Sequence, residues 1–330
     1  MNIPSGLFRM KARAALKGHW QTALLISLVV NLPTLLMQAV SAYTGNDTLT
    51  RLQSVFISAS RDGVLTDAVV QNEIQAMLGS TVFWVVRAGE LIAWLAVPCL
   101  ALGMYKWVMD CLRGQSGPVS TVFCRLRISH KAIGLHLWVT LKILLWMLPG
   151  IALCTGMMFL FSRTTVFRDL LVSLSGYTAS GTLSGVSQMP TFTLVIISYI
   201  AVPVTVGAIA VPGVLAALRY ALSEYILAEQ PETGVLECVR LSKQRMDGYK
   251  KKLFGMMPVF LLWYLGLMMV SSMFAGMGVF GLVLQMLLSL VLDVYITASI
   301  AAFALWRISG RSAAAEAETE QPAPDADELN

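Results

Sequence analysis

Apolar residues in this chain fall into six long runs rather than into alternating or short amphipathic patterns. The runs are 20–43, 91–109, 143–161, 192–218, 253–273 and 279–306. A helix that crosses a bilayer needs about 20 predominantly apolar residues, and each run meets or approaches that length. Period-2 alternation is absent from them, so they read as helices and not as barrel strands. The pattern predicts an all-α, polytopic membrane helical bundle with about six transmembrane helices, organised as one transmembrane domain over 1–308. The third run has a half-apolar lead from Ala132, and the sixth is long enough to tilt.

Between the runs the charges alternate in sign and density. Lys and Arg concentrate in four segments: the N-terminal arm (Arg9, Lys11, Arg13, Lys17), the stretch around the second loop (Lys106, Arg113, Arg125, Arg127, Lys131), the segment after the fourth run (Arg219, Arg240, Lys243, Arg245, Lys250, Lys251, Lys252) and the end of the sixth (Arg307, Arg311). The opposite loops carry Arg51, Arg61, Arg87, Arg163 and Arg168 only. Basic residues favour the cytoplasmic side, so both the N-terminus and the C-terminus are expected in the cytoplasm. A competing reading treats the basic lead, the first run and Val40-Ser41-Ala42 as a signal peptide. The length of the lead and Pro33 inside the run argue against cleavage, which would leave five spans.

Composition changes the picture little. The chain has 330 residues, 13% charged, with a mean hydropathy of +0.69. Soluble domains carry roughly 25% charged residues, so the missing charge is explained by lipid acting as solvent. The net charge of +5 does not imply nucleic acid, because every basic cluster adjoins a span. The partners expected instead are the lipid bilayer, with anionic lipids among them, and a membrane-protein partner. The setting expected is that of a multi-pass membrane protein. The five cysteines, Cys99, Cys111, Cys124, Cys154 and Cys238, form no CxxC pair, and no His or Cys spacing suits a metal. No cofactor is expected.

Outside the spans, Thr44–Phe83 is the largest outer loop; it holds a stretch at Asp67–Leu78 that could form a short surface helix and the acceptor spacing Asn46-Asp47-Thr48. Ser162–Thr191 is rich in Ser, Thr and Gly and reads as a linker. The acidic tail 309–330 cannot bury an apolar face and reads as disordered.

Few residues offer chemistry. Pro33, Pro98, Pro149, Pro203, Pro212 and Pro258 lie within spans and predict kinks. The Pro149-Gly150 and Pro212-Gly213 pairs sit in similar apolar surroundings, which raises an inverted repeat as an alternative. Asp293 lies in the middle of the sixth run, about 20 Å from either end at 1.5 Å per residue. A side chain that short cannot reach water, so the carboxyl must be neutral, paired or hydrated, and it is a candidate intramembrane polar site. Lys142 is its candidate partner, although the long stem of Lys142 also suits a span-end anchor. Arg87 and Glu90 are spaced for a local ion pair. His19, His130 and His136 share no spacing. No P-loop, HExxH or nucleophile elbow is present, and the chain reads as no enzyme.

The segment 219–252 reads as a cytoplasmic amphipathic elbow. Gly234 can cap a helix, Glu237 stands three residues later, and Gly248 can close it. Val235, Val239, Ser242 and Met246 form one stripe. Arg240, Lys243, Arg245, Lys250, Lys251 and Lys252 are the candidate contacts for anionic lipid or a partner. The bland reading of the same charges is topology alone.

This hinge also carries a resemblance. Pro212-Gly213, Arg219-Tyr220, Tyr225-Ile226-Leu227-Ala228, Pro231, Glu237, Leu241-Ser242, Met246, Gly248, Lys250 and Leu253-Phe254 resemble the signature of a bacterial integral-membrane family, domain of unknown function 975. Ala14-Ala15-Leu16-Lys17-Gly18 with Trp20, Leu112-Arg113-Gly114, and Tyr295 with Phe303 agree. Gly234, where a Ser or Thr cap is usual, and Val294, where a proline is usual, depart from it. The resemblance implies a helical membrane protein and brings no activity or catalytic residues. Binding of lipid or a membrane partner is the first functional expectation; a small-solute or ion transporter using Asp293 and proline-broken helices is the alternative.

Overall fold

A computed structural model describes residues 5–44, 75–76, 78–115, 117–163, 202–274 and 279–319. Among them every regular element is helical: α1 (Ser5–Leu16), α2 (Trp20–Tyr43), α3 (Thr81–Leu112), a 3-10 helix (Val119–Ile128), α4 (Ser129–Ser162), α5 (Val202–Tyr220), α6 (Ser223–Glu229), α7 (Val235–Met246), α8 (Lys250–Phe254), α9 (Met257–Phe274) and α10 (Val279–Thr319). Six stretches among these are long and apolar enough to cross a membrane, in α2, α3, α4, α5, α9 and α10 with the turns that extend some of them. The all-α, six-span expectation stands. Most of both outer loops, including residues 67–74 and 77 of the Asp67–Leu78 stretch and the Asn46 spacing, residues 192–201 of the fourth run and residues 320–330 of the tail lie outside the described residues.

Several boundaries differ from the hydropathy pattern. Helix α3 begins ten residues before Leu91, and α4 absorbs the whole lead from Ala132. Half-polar turns continue a helix wherever no Gly or Pro stops it, so hydropathy marks the apolar core of a helix and not its ends. The fifth run is two helices, broken at Gly255-Met256. Pro258 follows that break as the second residue of α9, where a missing N–H costs nothing. Pro33, Pro98, Pro149 and Pro212 lie inside continuous helices. The acidic segment expected from Ser309 begins inside α10, which runs to Thr319.

The N-terminal arm is a helix that the charge pattern concealed. Phe8, Ala12 and Leu16 recur every four residues and are all buried, while Lys11 and Arg13 face out. Helix α1 packs on α10, with the Phe8 ring 5.4 Å from Phe303 and 5.5 Å from Trp306.

The chain divides into two compact units. The first comprises Met1–Leu32, Ala96–Val139 and Leu218–Asn330. Its core joins α1, the C-terminal half of α3, α6, α7 and the second half of α10, including Trp107, Met109, Ile226, Leu227, Cys238, Met246 and Phe303. Core density of this kind needs close backbone approach. A Cβ on Gly103 would fall on the Val122 carbonyl, so α3 seats the 3-10 helix directly on its glycine. The indole of Trp107, 1% exposed, donates to the Gly117 carbonyl at 2.8 Å and fixes the turn before that helix.

The second unit comprises Pro33–Leu95 and Thr140–Ala217. Here the two Pro-Gly pairs meet the partner helix of each other. A Cβ on Gly150 of α4 would fall on the Ala208 carbonyl of α5, and one on Gly213 would come within 3.0 Å of Met147. Small residues let membrane helices approach closely without a hydrophobic drive. Leu144, Leu145, Leu148, Leu153, Val206 and Val211 stay exposed; hydrocarbon, not water, is the solvent that tolerates them. Arg87 pairs with Glu90 at 2.7 Å, as the spacing predicts, and also reaches Ser41 Oγ at 3.3 Å.

Candidate functional site

Three polar features stand out in the first unit. The deepest is at Asp293. Ser27 Oγ donates to Asp293 Oδ2 at 2.8 Å, and Asn31 Nδ2 lies 3.4 Å from the same oxygen. Asn31 Nδ2 also donates to the Ser27 carbonyl at 2.9 Å. Ser27 and Asn31 are one turn apart on α2, so a single helix face presents both donors to α10. The arrangement pins α2 to α10, and hydrogen bonds between membrane helices contribute roughly 0.6–1.7 kcal/mol each. Lys142 lies on α4 in the second unit and Asp293 on α10 in the first. Ser27 and Asn31 were missed by sequence reasoning; a polar pair at i, i+4 inside the first apolar run was the available signal.

The second feature is a charge network at the end of the helices that carries most Lys and Arg. Glu229, ending α6, accepts from Arg113 Nη2 at 2.7 Å and Nη1 at 3.2 Å, and lies 3.7 Å from Lys106 Nζ. Lys106 also pairs with Asp110 at 2.7 Å. The bidentate hydrogen bond from Arg113 to Glu229 holds the Arg113 guanidinium above its ordinary pKa, against the opposing effect of burial. Lys131 Nζ donates to the Pro231 carbonyl at 2.8 Å and fixes the turn after α6. Basic residues read from sequence as topology signals are therefore also ties between α3, α4 and the elbow. Replacing Glu229 with Gln should lower stability by about 1.5–3 kcal/mol, the scale of a hydrogen bond to a charged group. A double-mutant cycle with Arg113→Gln, followed by thermal unfolding in detergent, checks it; simple additivity of the two losses contradicts it.

The third feature is the elbow. Helix α7 starts and stops where its glycines predicted. Gly234 is extended at the N-cap with ψ 154°, and Gly248 takes φ +74°, a left-handed turn open to glycine without strain. The stripe is buried at Ser242 and Met246, and Cys238 joins it. This face of α7 is turned into the protein. It packs on α6, whose Tyr225, Ile226, Leu227 and Ala228 are all buried, and Ser242 Oγ donates to the Arg219 carbonyl at 3.1 Å. Burial pushes the Cys238 thiol up to about 11.

That docking turns the polar face of α7 outward, beside the end of α5. Arg219, Arg240, Lys243, Gln244, Asp247 and Lys250 line a cleft of about 450 Å³. Three of the six basic residues singled out for the elbow are here: Arg240, Lys243 and Lys250. Arg240 is also held by Glu237 at 2.7 Å. The other three are placed differently. Arg245 offers its carbonyl to Arg307 Nε at 2.9 Å, Lys252 lies 5.2 Å from the Trp306 ring centroid, and Lys251 is exposed on α8. Arg219 enters the cleft only through the fold, since the α6 turn separates it from α7 in sequence. Four cations thus stand around one carboxylate, Asp247. Among the described residues no cluster of three or more His, Cys, Asp or Glu side chains forms that could hold a metal.

Fold and site together define a multi-pass, all-helical membrane protein with a basic cleft at the end of its spans. The chain belongs to the family described as Protein of unknown function (DUF975), whose model matches residues 5–311. No curated protein and no solved structure matches it.

Proposed function

We propose that this chain is a non-enzymatic protein of the bacterial cytoplasmic membrane that binds anionic phospholipid headgroups of the cytoplasmic leaflet through the elbow cleft. The observation that carries the reading is the grouping of Arg219, Arg240, Lys243 and Lys250 around Asp247 at the end of spanning helix α5. A cleft beside a span end sits at headgroup depth, where each basic residue contributes about 1 kcal/mol toward an anionic surface. Nucleic acid would need a basic face clear of the membrane, and this one adjoins it. Asp293, donated to by Ser27 and Asn31, supports a helix-docking role more than a solute pathway.

The test is thermal stabilisation of the detergent-purified chain by short-chain phosphatidylglycerol compared with phosphatidylcholine. A ligand that binds only the folded state raises its stability by mass action. The double variant Lys243→Glu with Lys250→Glu should bind phosphatidylglycerol at least about tenfold more weakly and lose most of its salt dependence. Equal stabilisation by both lipids, or an unchanged variant, overturns the reading.

A further inference from the structure

A second cavity, of about 600 Å³, opens between α9 and α10 in the same unit and shares no residue with the elbow cleft. Its walls are apolar: Leu267 and Val270 on α9, Leu288 and Leu292 on α10. From Leu288 to Tyr295 the wall rises about 10 Å along the helix. One end is different. Arg13 and Lys17 from the α1 region, with Trp20, close the groove where Tyr295 lies. The Arg13 guanidinium stands 5.4 Å from the Tyr295 ring centroid. Tyr295 is 8% exposed, and its buried Oη has no hydrogen-bond partner among the described residues. A buried hydroxyl without a partner is costly and calls for an acceptor.

We infer that this groove holds one acyl chain of an anionic phospholipid, with the headgroup phosphate on Arg13 and Lys17 and a phosphate or ester oxygen accepting from Tyr295 Oη. The occupant follows from the lining. An apolar trough of this volume, within the range of roughly 300–1,000 Å³ for small-molecule sites, suits a hydrocarbon chain. Two cations and a hydroxyl donor at one end require an anionic head with acceptor oxygens. A neutral lipid leaves both cations uncompensated, and a peptide strand or helix does not match a single-chain trough. Trp20 stands at the head end, where indoles favour the membrane interface. The assignment concerns a site apart from the elbow and rests on that reading only for which leaflet supplies the lipid.

Gly266 offers a direct way to fill the groove. It lines the cavity, and a Cβ built on it meets nothing within 4 Å. Gly266→Phe therefore projects a ring into the trough with the backbone unmoved. Tyr295→Phe removes only the hydroxyl, and Arg13→Gln with Lys17→Gln removes the head contacts. Native mass spectrometry of the full chain, with long-chain phosphatidylglycerol and phosphatidylcholine at equal concentration, counts retained lipid. The wild type should retain phosphatidylglycerol preferentially. Gly266→Phe should lose one retained phosphatidylglycerol, Arg13→Gln with Lys17→Gln should lose the preference at that site, and Tyr295→Phe should weaken retention roughly fivefold, the worth of one hydrogen bond.

The elbow variant Lys243→Glu with Lys250→Glu serves as the separate arm. It should remove a different phosphatidylglycerol, and its loss should add to that of Gly266→Phe. If the elbow variant is silent while the groove variants behave as stated, the groove stands and the elbow reading falls. If Gly266→Phe and Tyr295→Phe, both folded by thermal unfolding, retain phosphatidylglycerol as the wild type does, the groove assignment is wrong. It is equally wrong if Gly266→Phe loses both lipids in equal amounts.

Discussion

Replacing Gly103 with leucine is expected to prevent folding of the first unit. Helix α3 and the 3-10 helix touch backbone to backbone there, and a Cβ on Gly103 would coincide with the Val122 carbonyl region. A flexible side chain could yield, but backbone cannot. Overpacking a core costs about 1–3 kcal/mol when side chains can shift, and here Val122, fully buried, would have to leave its seat. We expect Gly103→Ala to lose about that much and Gly103→Leu to give no monodisperse species on size exclusion. Gly207, with open space around its Cβ position, is the control: Gly207→Leu should be near neutral. A Gly103→Leu protein as stable as the wild type would mean that α3 and the 3-10 helix do not meet as described.

Phe8→Ala has the second largest expected effect. Phe8 is 2% exposed and packs against the Phe303 and Trp306 rings. Truncating a buried aromatic costs about 3–5 kcal/mol, and α1 is held mainly by Phe8, Ala12 and Leu16. The loss should appear as release of α1: faster tryptic cleavage at Arg9, Lys11 and Arg13, together with a lower unfolding temperature. Met10→Ala, at an exposed position of the same helix, should change neither. Wild-type trypsin resistance in Phe8→Ala would contradict the docking of α1 on α10.

How much of this was readable in advance depends on whether a feature is local. The apolar cores of the six runs, the Arg87–Glu90 pair and the two glycines bounding α7 are set by neighbours within a turn or two; the pair and the glycines are found where they were expected, and six helices long and apolar enough to cross a membrane fall on the runs with shifted ends. Asp293 was visible because one carboxylate in a long apolar run has no local explanation. Its partners Ser27 and Asn31 were not visible, since only tertiary packing brings α2 to α10. Helix α1 was concealed by its own charges: Ala12 is too small to announce a buried stripe. The elbow's stripe is legible as a stripe but its cover is not, because nothing in 234–248 says that α6 packs on it. The same limit applies to the cleft, where Arg219 joins Lys243 in one lining only after α6 turns back.

The central claim is that the elbow cleft takes an anionic headgroup, and the most direct test is chemical. The full chain, reconstituted in bilayers, is exposed to phosphatidylglycerol carrying a photoreactive group on its head, and the adducts are mapped by peptide. Adducts should concentrate on Val235–Lys250 and on the end of α5 near Arg219, should compete with unlabelled phosphatidylglycerol and should be sparse with a phosphatidylcholine probe. Labelling spread evenly along all span ends, or equal labelling by the zwitterionic probe, would contradict the account.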